Sequence, residues 1–165
     1  MVLFPPGKGG GEGVAWGYKG KGVTLHSLVE GHGLPLVLQS TPANASEPAQ
    51  VIPLLDAVHL RTGQRGRSRK RPRRLQADAG YDLAALRQRL RQRGIQPLIT
   101  QNPRRRKKPK LGRPRAIPLD RWKVERCFAW LQRKFRRLAC RWERKNRFWL
   151  GFLALAFSLL WVDAL

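Results

Sequence analysis

Two carboxylates, Asp78 and Glu125, are the residues in this chain whose type and setting could do chemistry. Asp78 closes the apolar run in Leu75-Gln76-Ala77-Asp78-Ala79-Gly80-Tyr81-Asp82. The run reads as a strand, Gly80 as a turn and Asp82 as the start of a helix, so Asp78 sits where a rigid element stops and a side chain can project. Arginine and lysine runs lie on either side. An acid in that setting is either a charge-balancing partner for them or a ligand for something more positive still. The second role needs a companion, and Glu125, 47 positions downstream in Arg121-Trp122-Lys123-Val124-Glu125-Arg126, is the best candidate. Hard cations take oxygen ligands of this kind.

The same residues have plainer readings. Asp78 reads as a strand-end acid bonded to backbone, Asp82 as an N-cap, and Glu125 as the i,i+4 partner of Arg121, worth roughly a few tenths of a kcal/mol. Glu143 reads as a surface ion-pair residue. His26, His32 and His59 have no mutual spacing suited to zinc or to a nucleophile's base, which leaves solvated or strand-packing roles. Cys127 and Cys140 fall in predicted helix without a Cys-x-x-Cys pattern, consistent with reduced thiols in a cytosolic protein.

The elements that must position the acids follow from periodicity. Residues 7 to 22 hold eight glycines with Lys8, Lys19 and Lys21 among them. Without a Walker pattern, a flexible connector is the favoured reading. Val23 to Val29 alternates as a half-buried strand, Glu30-Gly31-His32-Gly33 supplies a turn, and Leu34 to Gln39 returns as an antiparallel partner, with Pro35 near its start. Ser46 offers an N-cap to a helix bearing Val51, Ile52, Leu54, Leu55 and Val58, although Pro53 is awkward inside it. After the strand to Asp78, a helix turns Leu83, Leu86 and Leu90 inward and Arg87, Arg89, Arg91 and Arg93 outward, with Gly94 as its stop. Gln96 to Thr100 reads as another strand. A long helix then carries Val124, Phe128, Leu131, Phe135 and Leu138 on one stripe, with Glu125 at its rim. The segment from Phe148 to Val162 is apolar but, at fifteen residues, too short to span a bilayer, and reads as a buried helix closing the core. The class expected is α/β, a mixed sheet flanked by helices.

Thirty-four basic residues against ten acidic ones give a formal net charge of +24 over 165 residues. Self-repulsion of that size opposes a compact state unless a polyanion screens it, which points to nucleic acid. With 42% hydrophobic residues and six tryptophans the chain can still bury a core. Eight cations lie between residues 61 and 74, and eight more between 104 and 115. Lys19 and Lys21, then Arg69, Lys70 and Arg71, then Arg105, Arg106, Lys107 and Lys108 are the candidate DNA contacts. A non-catalytic basic DNA- or RNA-binding protein would share them.

Gly17-Tyr18-Lys19-Gly20-Lys21-Gly22, Leu34-Pro35-Leu36 with Thr41-Pro42-Ala43-Asn44, Ala77-Asp78-Ala79-Gly80-Tyr81-Asp82 and Arg121-Trp122-Lys123-Val124-Glu125-Arg126-Cys127-Phe128-Ala129-Trp130-Leu131 together resemble the catalytic half of bacterial insertion-sequence transposases of the DDE type. The likeness runs from about residue 4 to the C-terminus, and the order of several motifs makes it specific. It implies a ribonuclease-H-like fold. It further implies that Asp78 and Glu125 match the second and third acids of the DDE triad, and that Arg121 is the arginine four positions before the glutamate. Two Mg²⁺ or Mn²⁺ ions would be the cofactor for phosphodiester cleavage and strand transfer.

The implied partners are insertion-sequence ends and target DNA, without a membrane, in a bacterial cytoplasm on the nucleoid. The likeness also implies a multimer that synapses two ends. The family's first aspartate would fall at or before Met1, and no acid precedes Glu12. The chain is therefore expected to be inactive alone, with an incomplete first strand, either 5′-truncated or joined to an upstream partner by frameshifting. Residues 1–22 would be a glycine-rich remnant of the first strand and loop, and 23–165 the ribonuclease-H-like domain. Pro118, where relatives often carry tyrosine, and Gln132, where they often carry lysine, depart from the pattern.

Overall fold

The structure, a computed structural model, describes residues 2–59, 71–102, 104 and 120–164. The chain divides into two units, Met1–Ser46 with Lys123–Leu165, and Glu47–Trp122.

In the first unit, β1 (Val2–Leu3), β2 (Ala15–Gly17) and β4 (Pro35–Pro42) all pair antiparallel with β3 (Gly20–Val29). The expected hairpin is present, with Pro35 as the first residue of β4. β3 is not half-buried, however: consecutive residues Val23 to Ser27 are all buried, because this strand pairs with the other three and is covered on both faces. Its buried polar residue His26 places Nε2 2.8 Å from Thr41 Oγ1. Burial lowers the His26 pKa to about 4, so the imidazole is neutral near pH 7.

Two helices supply the rest of this core. Phe128 and Leu131 of α3 (Arg121–Lys134) and Trp149 and Leu153 of α4 (Asn146–Val162) close on Val23 and Leu25. The apolar stripe of α3 outlasts the helix. Phe135 leaves helical geometry and the chain tightens into a 3-10 turn over Arg136–Leu138, which still buries Leu138. Cys140 lies beyond that turn, outside any helix, and its Sγ donates to the Pro6 carbonyl. The helix α4 is buried along one stripe only, Trp149, Leu153, Ala156 and Leu160. Phe148, Leu155 and Val162 stay more than half exposed, so it covers the core without being enclosed by it. No helix of the described residues is long and apolar enough to cross a membrane.

The glycine-rich segment is not a loose connector. Arg141 N donates to Pro6 O (2.8 Å) and Glu12 N to Arg144 O (2.8 Å), while Glu12 Oε2 accepts from Asn146 N (3.0 Å). That last contact puts a carboxylate on an orphan amide at the first turn of α4, where the helix dipole favours it. Arg141, 1% exposed, donates to Glu143 O and Glu12 O, and burial lowers its pKa. The glycines are required by close approach. A Cβ on Gly9 would stand 2.0 Å from Trp142 O, and one on Gly11, at φ +93°, 2.2 Å from Arg144 O. These partners lie so far along the chain that composition alone reads the segment as flexible.

In the second unit a 3-10 turn, Pro48–Gln50, leads into α1 (Val51–Asp56). Ser46 is not its N-cap; Glu47 and Gln50 hold the two cap positions, neither capping the helix amides through its side chain. Pro53 is tolerated because it falls in the first turn, where amides have no intrahelical acceptor. The rest is a strand-helix-strand unit. β5 (Arg74–Ala77) pairs parallel with β6 (Gln96–Ile99), and α2 (Ala84–Gln92) connects them. Gly94 at φ +68° ends α2, with Gly94 N donating to Arg91 O and Ile95 N to Leu90 O, the bonding of a Schellman stop. The protein is thus mixed α/β, and among the described residues its antiparallel and parallel ladders form two sheets rather than one.

Candidate active site

Asp78 sits one residue past β5, in extended conformation, and caps the 3-10 turn Ala79–Tyr81 through a bond from Gly80 N to Oδ1 of 2.9 Å. This is the strand-end position read from sequence, and the side chain is half-buried. Gly80 matters for space as well: a Cβ there would lie 3.1 Å from Asp78 Oδ1. Tyr81 is buried and bonded to Glu47. Burial first, then the charges of Glu47 and Asp78, push its pKa up, so it remains a neutral phenol. Sequence reasoning missed this Tyr81–Glu47 support because its partners are 34 positions apart.

Two other acids of the second unit, Asp82 and Asp56, are committed to arginines. Asp82 is not the N-cap of α2; that position is Leu83. The carboxylate instead takes Arg87, with Nη2–Oδ1 at 2.6 Å, and accepts from Asn102 N at 2.8 Å. Arg87, expected to face out, is 6% exposed and also donates to Ile99 O. The carboxylate of Asp82 balances the charge of this buried guanidinium. Asp56 pairs with Arg93 at 2.5 Å. Among the described residues no cation is paired with Asp78; its bond is to a backbone amide.

Glu125 belongs to the first unit and is exposed on α3, just off the stripe that buries Cys127, Phe128 and Leu131. Arg121 opens the same helix, and its side chain lies outside the described residues. Next to Glu125, Arg126 reaches the His32 carbonyl and covers the Trp130 ring at 4.7 Å. The other acids of the first unit hold structural contacts too. Glu12 caps α4, Glu30 holds the turn through Leu34 N and His32, and Asp163 meets Lys134. Glu143 is no surface residue: it is 8% exposed and binds Arg137 at 2.7 Å. Burial pushes the Cys127 thiol up to about 11, which makes it a poor nucleophile.

The DNA-contact residues divide by position. Lys19 and Lys21 come together, both exposed, on the β2–β3 hairpin. Arg71 precedes β5 and donates to Arg93 O at 3.3 Å. Arg69, Lys70, Arg105, Arg106, Lys107 and Lys108 lie outside the described residues, as does most of both basic loops. Asp78 and Glu125 are hard oxygen donors of the kind Mg²⁺ or Mn²⁺ takes. Among the described residues no group of three or more His, Cys, Asp or Glu side chains stands together as a metal cluster.

Comparison with known proteins agrees with the order of motifs. The Transposase DDE domain family matches residues 5–161. A Burkholderia cepacia protein described as a transposase for insertion sequence element IS402 is 39% identical over 135 residues, covering 82% of this chain and 60% of the relative. The chain therefore spans less than two thirds of that relative's length. No solved structure matches it. With a match of this extent across both units and both acids, the chain belongs to the DDE transposase domain family.

Proposed function

We propose that this chain is the catalytic part of an insertion-sequence transposase, acting on DNA ends and target DNA, with Asp78 and Glu125 as two of its three catalytic acids. One observation supports it most: Asp78 ends a parallel strand and is held by a backbone amide, whereas its neighbours Asp56 and Asp82 are spent on arginines. Among the described residues Asp78 meets no permanent cation, which leaves its charge for a ligand. Bound divalent cations would supply Lewis-acid stabilisation of the reacting phosphodiester oxygens. Gly80 N holds the Asp78 carboxylate and Tyr81 N its backbone carbonyl, and Glu125 stands on the exposed side of α3. The cations of residues 61–74 and 104–115, with Lys19, Lys21 and Arg121, hold the phosphate backbone. The protein works in the bacterial cytoplasm on the nucleoid, as a homo-oligomer or with an upstream frame that supplies the first aspartate, and its ribonuclease-H-like domain covers 23–165.

The test uses this chain and a version extended upstream to restore an aspartate. The extended chain should cut and join labelled ends with Mg²⁺ or Mn²⁺, and Asp78→Ala or Glu125→Ala should abolish it. The unextended chain should bind DNA with little or no cleavage. Iron-mediated backbone cleavage, read by mass spectrometry, should cut near both 78 and 125. No activity in the extended chain, or cuts near one acid alone, would leave a non-catalytic basic binder as the better account.

A further inference from the structure

The β2–β3 hairpin exposes two aromatic rings that neither the acids nor the basic loops explain. Trp16 is 73% exposed, and Tyr18, at the turn, is fully exposed. Trp16 pairs across the ladder with Lys21, and Lys19 follows Tyr18, so each of two rings has an ammonium group beside it within six residues.

The ribbon that carries them is well fixed. Gly20 takes φ +111°, which allows the turn residues Tyr18 and Lys19 to keep ordinary negative φ. A Cβ on Gly17 would stand 2.4 Å from Ala43 O, so the root of the hairpin lies hard against the chain leaving β4. From there β3 runs directly into the core at Val23 and Leu25, both fully buried. An indole and a phenol presented to water on such a support forgo the burial that large rings normally find.

The chemistry that suits this surface is a flat π face beside negative charge. Base–aromatic stacking is tolerant of sequence, and lysines at the edges meet the phosphates that flank a base. A paired duplex offers the phosphates but keeps its base faces covered by their neighbours. We propose that Trp16 and Tyr18 form a stacking platform for unpaired DNA bases, with Lys19 and Lys21 holding the adjoining phosphates. The proposal rests on the reading of the chain as a DNA-acting protein, and it names the part of the DNA that this hairpin takes.

Fluorescence anisotropy with the full 165-residue chain tests it, using a labelled poly-thymidine strand and a blunt duplex across a salt series. The double variant Trp16→Ala/Tyr18→Ala should lower the ratio of single-strand to duplex affinity about tenfold or more, with the salt slope unchanged. Lys19→Ala/Lys21→Ala should weaken both ligands and flatten the salt slope by about 1 to 2. Trp16→Phe/Tyr18→Phe should restore most of the ratio, which a folding defect would not allow. An unchanged ratio in the alanine pair, or an equal loss on both ligands, overturns the platform. If the parent binds duplex but no single strand, the platform falls while the DNA reading stands; if it binds neither, that reading falls as well.

Discussion

The two units bury arginine in different ways, and the difference bears on which acids are left for chemistry. In the first, Arg141 donates through Nε and Nη2 to the carbonyls of Glu143 and Glu12, with Nη1 left without a hydrogen-bond partner among the described residues, beside an apolar core built on β3. In the second, Arg87 takes a carboxylate, Asp82, together with the Ile99 carbonyl. A chain with 34 basic residues and ten acids has few carboxylates to spare, so where backbone serves an arginine, an acid is released for another use. Around β5 the opposite holds. Asp82 and Asp56 are drawn into arginine pairs, while among the described residues Asp78 takes the Gly80 amide and no arginine.

The comparison can be broken most forcefully at Trp149, the largest fully buried side chain of the first unit. Trp149→Ala should cost about 4 kcal/mol in urea unfolding, from lost burial plus the cavity left behind. Hydrogen exchange read separately over residues 1–46 with 123–165, and over 47–122, should place the loss in the former. In the second unit, Asp82→Ala leaves Arg87 buried without its carboxylate and should cost about 3 kcal/mol. Replacing Arg87 with methionine in that background should recover much of it. If Asp82→Ala proves neutral, the supposed dependence of this unit on acid–arginine pairing is wrong.

The smallest of these effects is the pH response of His26. Its folded pKa of about 4 lies below the ordinary value of 6.5, so the unfolded chain binds the proton first as pH falls. The contribution is therefore complete above about pH 6.5 and is lost on acidification toward 4, by about 2 kcal/mol between pH 7 and pH 5. The variant His26→Gln should flatten that part of the urea-midpoint profile.

Features that periodicity and turn residues specify were legible: the β3–β4 hairpin, the β5–α2–β6 unit and the Gly94 stop. Features set by tertiary hydrogen bonds were not. Periodicity put Arg87 on the outer face with its arginine neighbours, because helical spacing holds no sign of the Asp82 carboxylate and Ile99 carbonyl that receive it. Glu143 looked solvated for the same reason, and so did the glycine segment, whose partners begin at Cys140. At the candidate site, the strand-end position of Asp78 and the helical position of Glu125 could be read. Their pairing came from motif order alone, since carboxylates 47 positions apart carry no local signal of one another.

The cap that Glu12 places on α4 joins residues 134 positions apart. During synthesis, the sheet around β3 must therefore wait, with its apolar face uncovered, until the ribosome has released α4, which begins at Asn146. The strand-helix-strand unit of residues 47–122 has all its own partners in hand well before then. Translation thus imposes an order of assembly on this protein, and a stalled nascent chain would expose the β3 sheet to chaperones first.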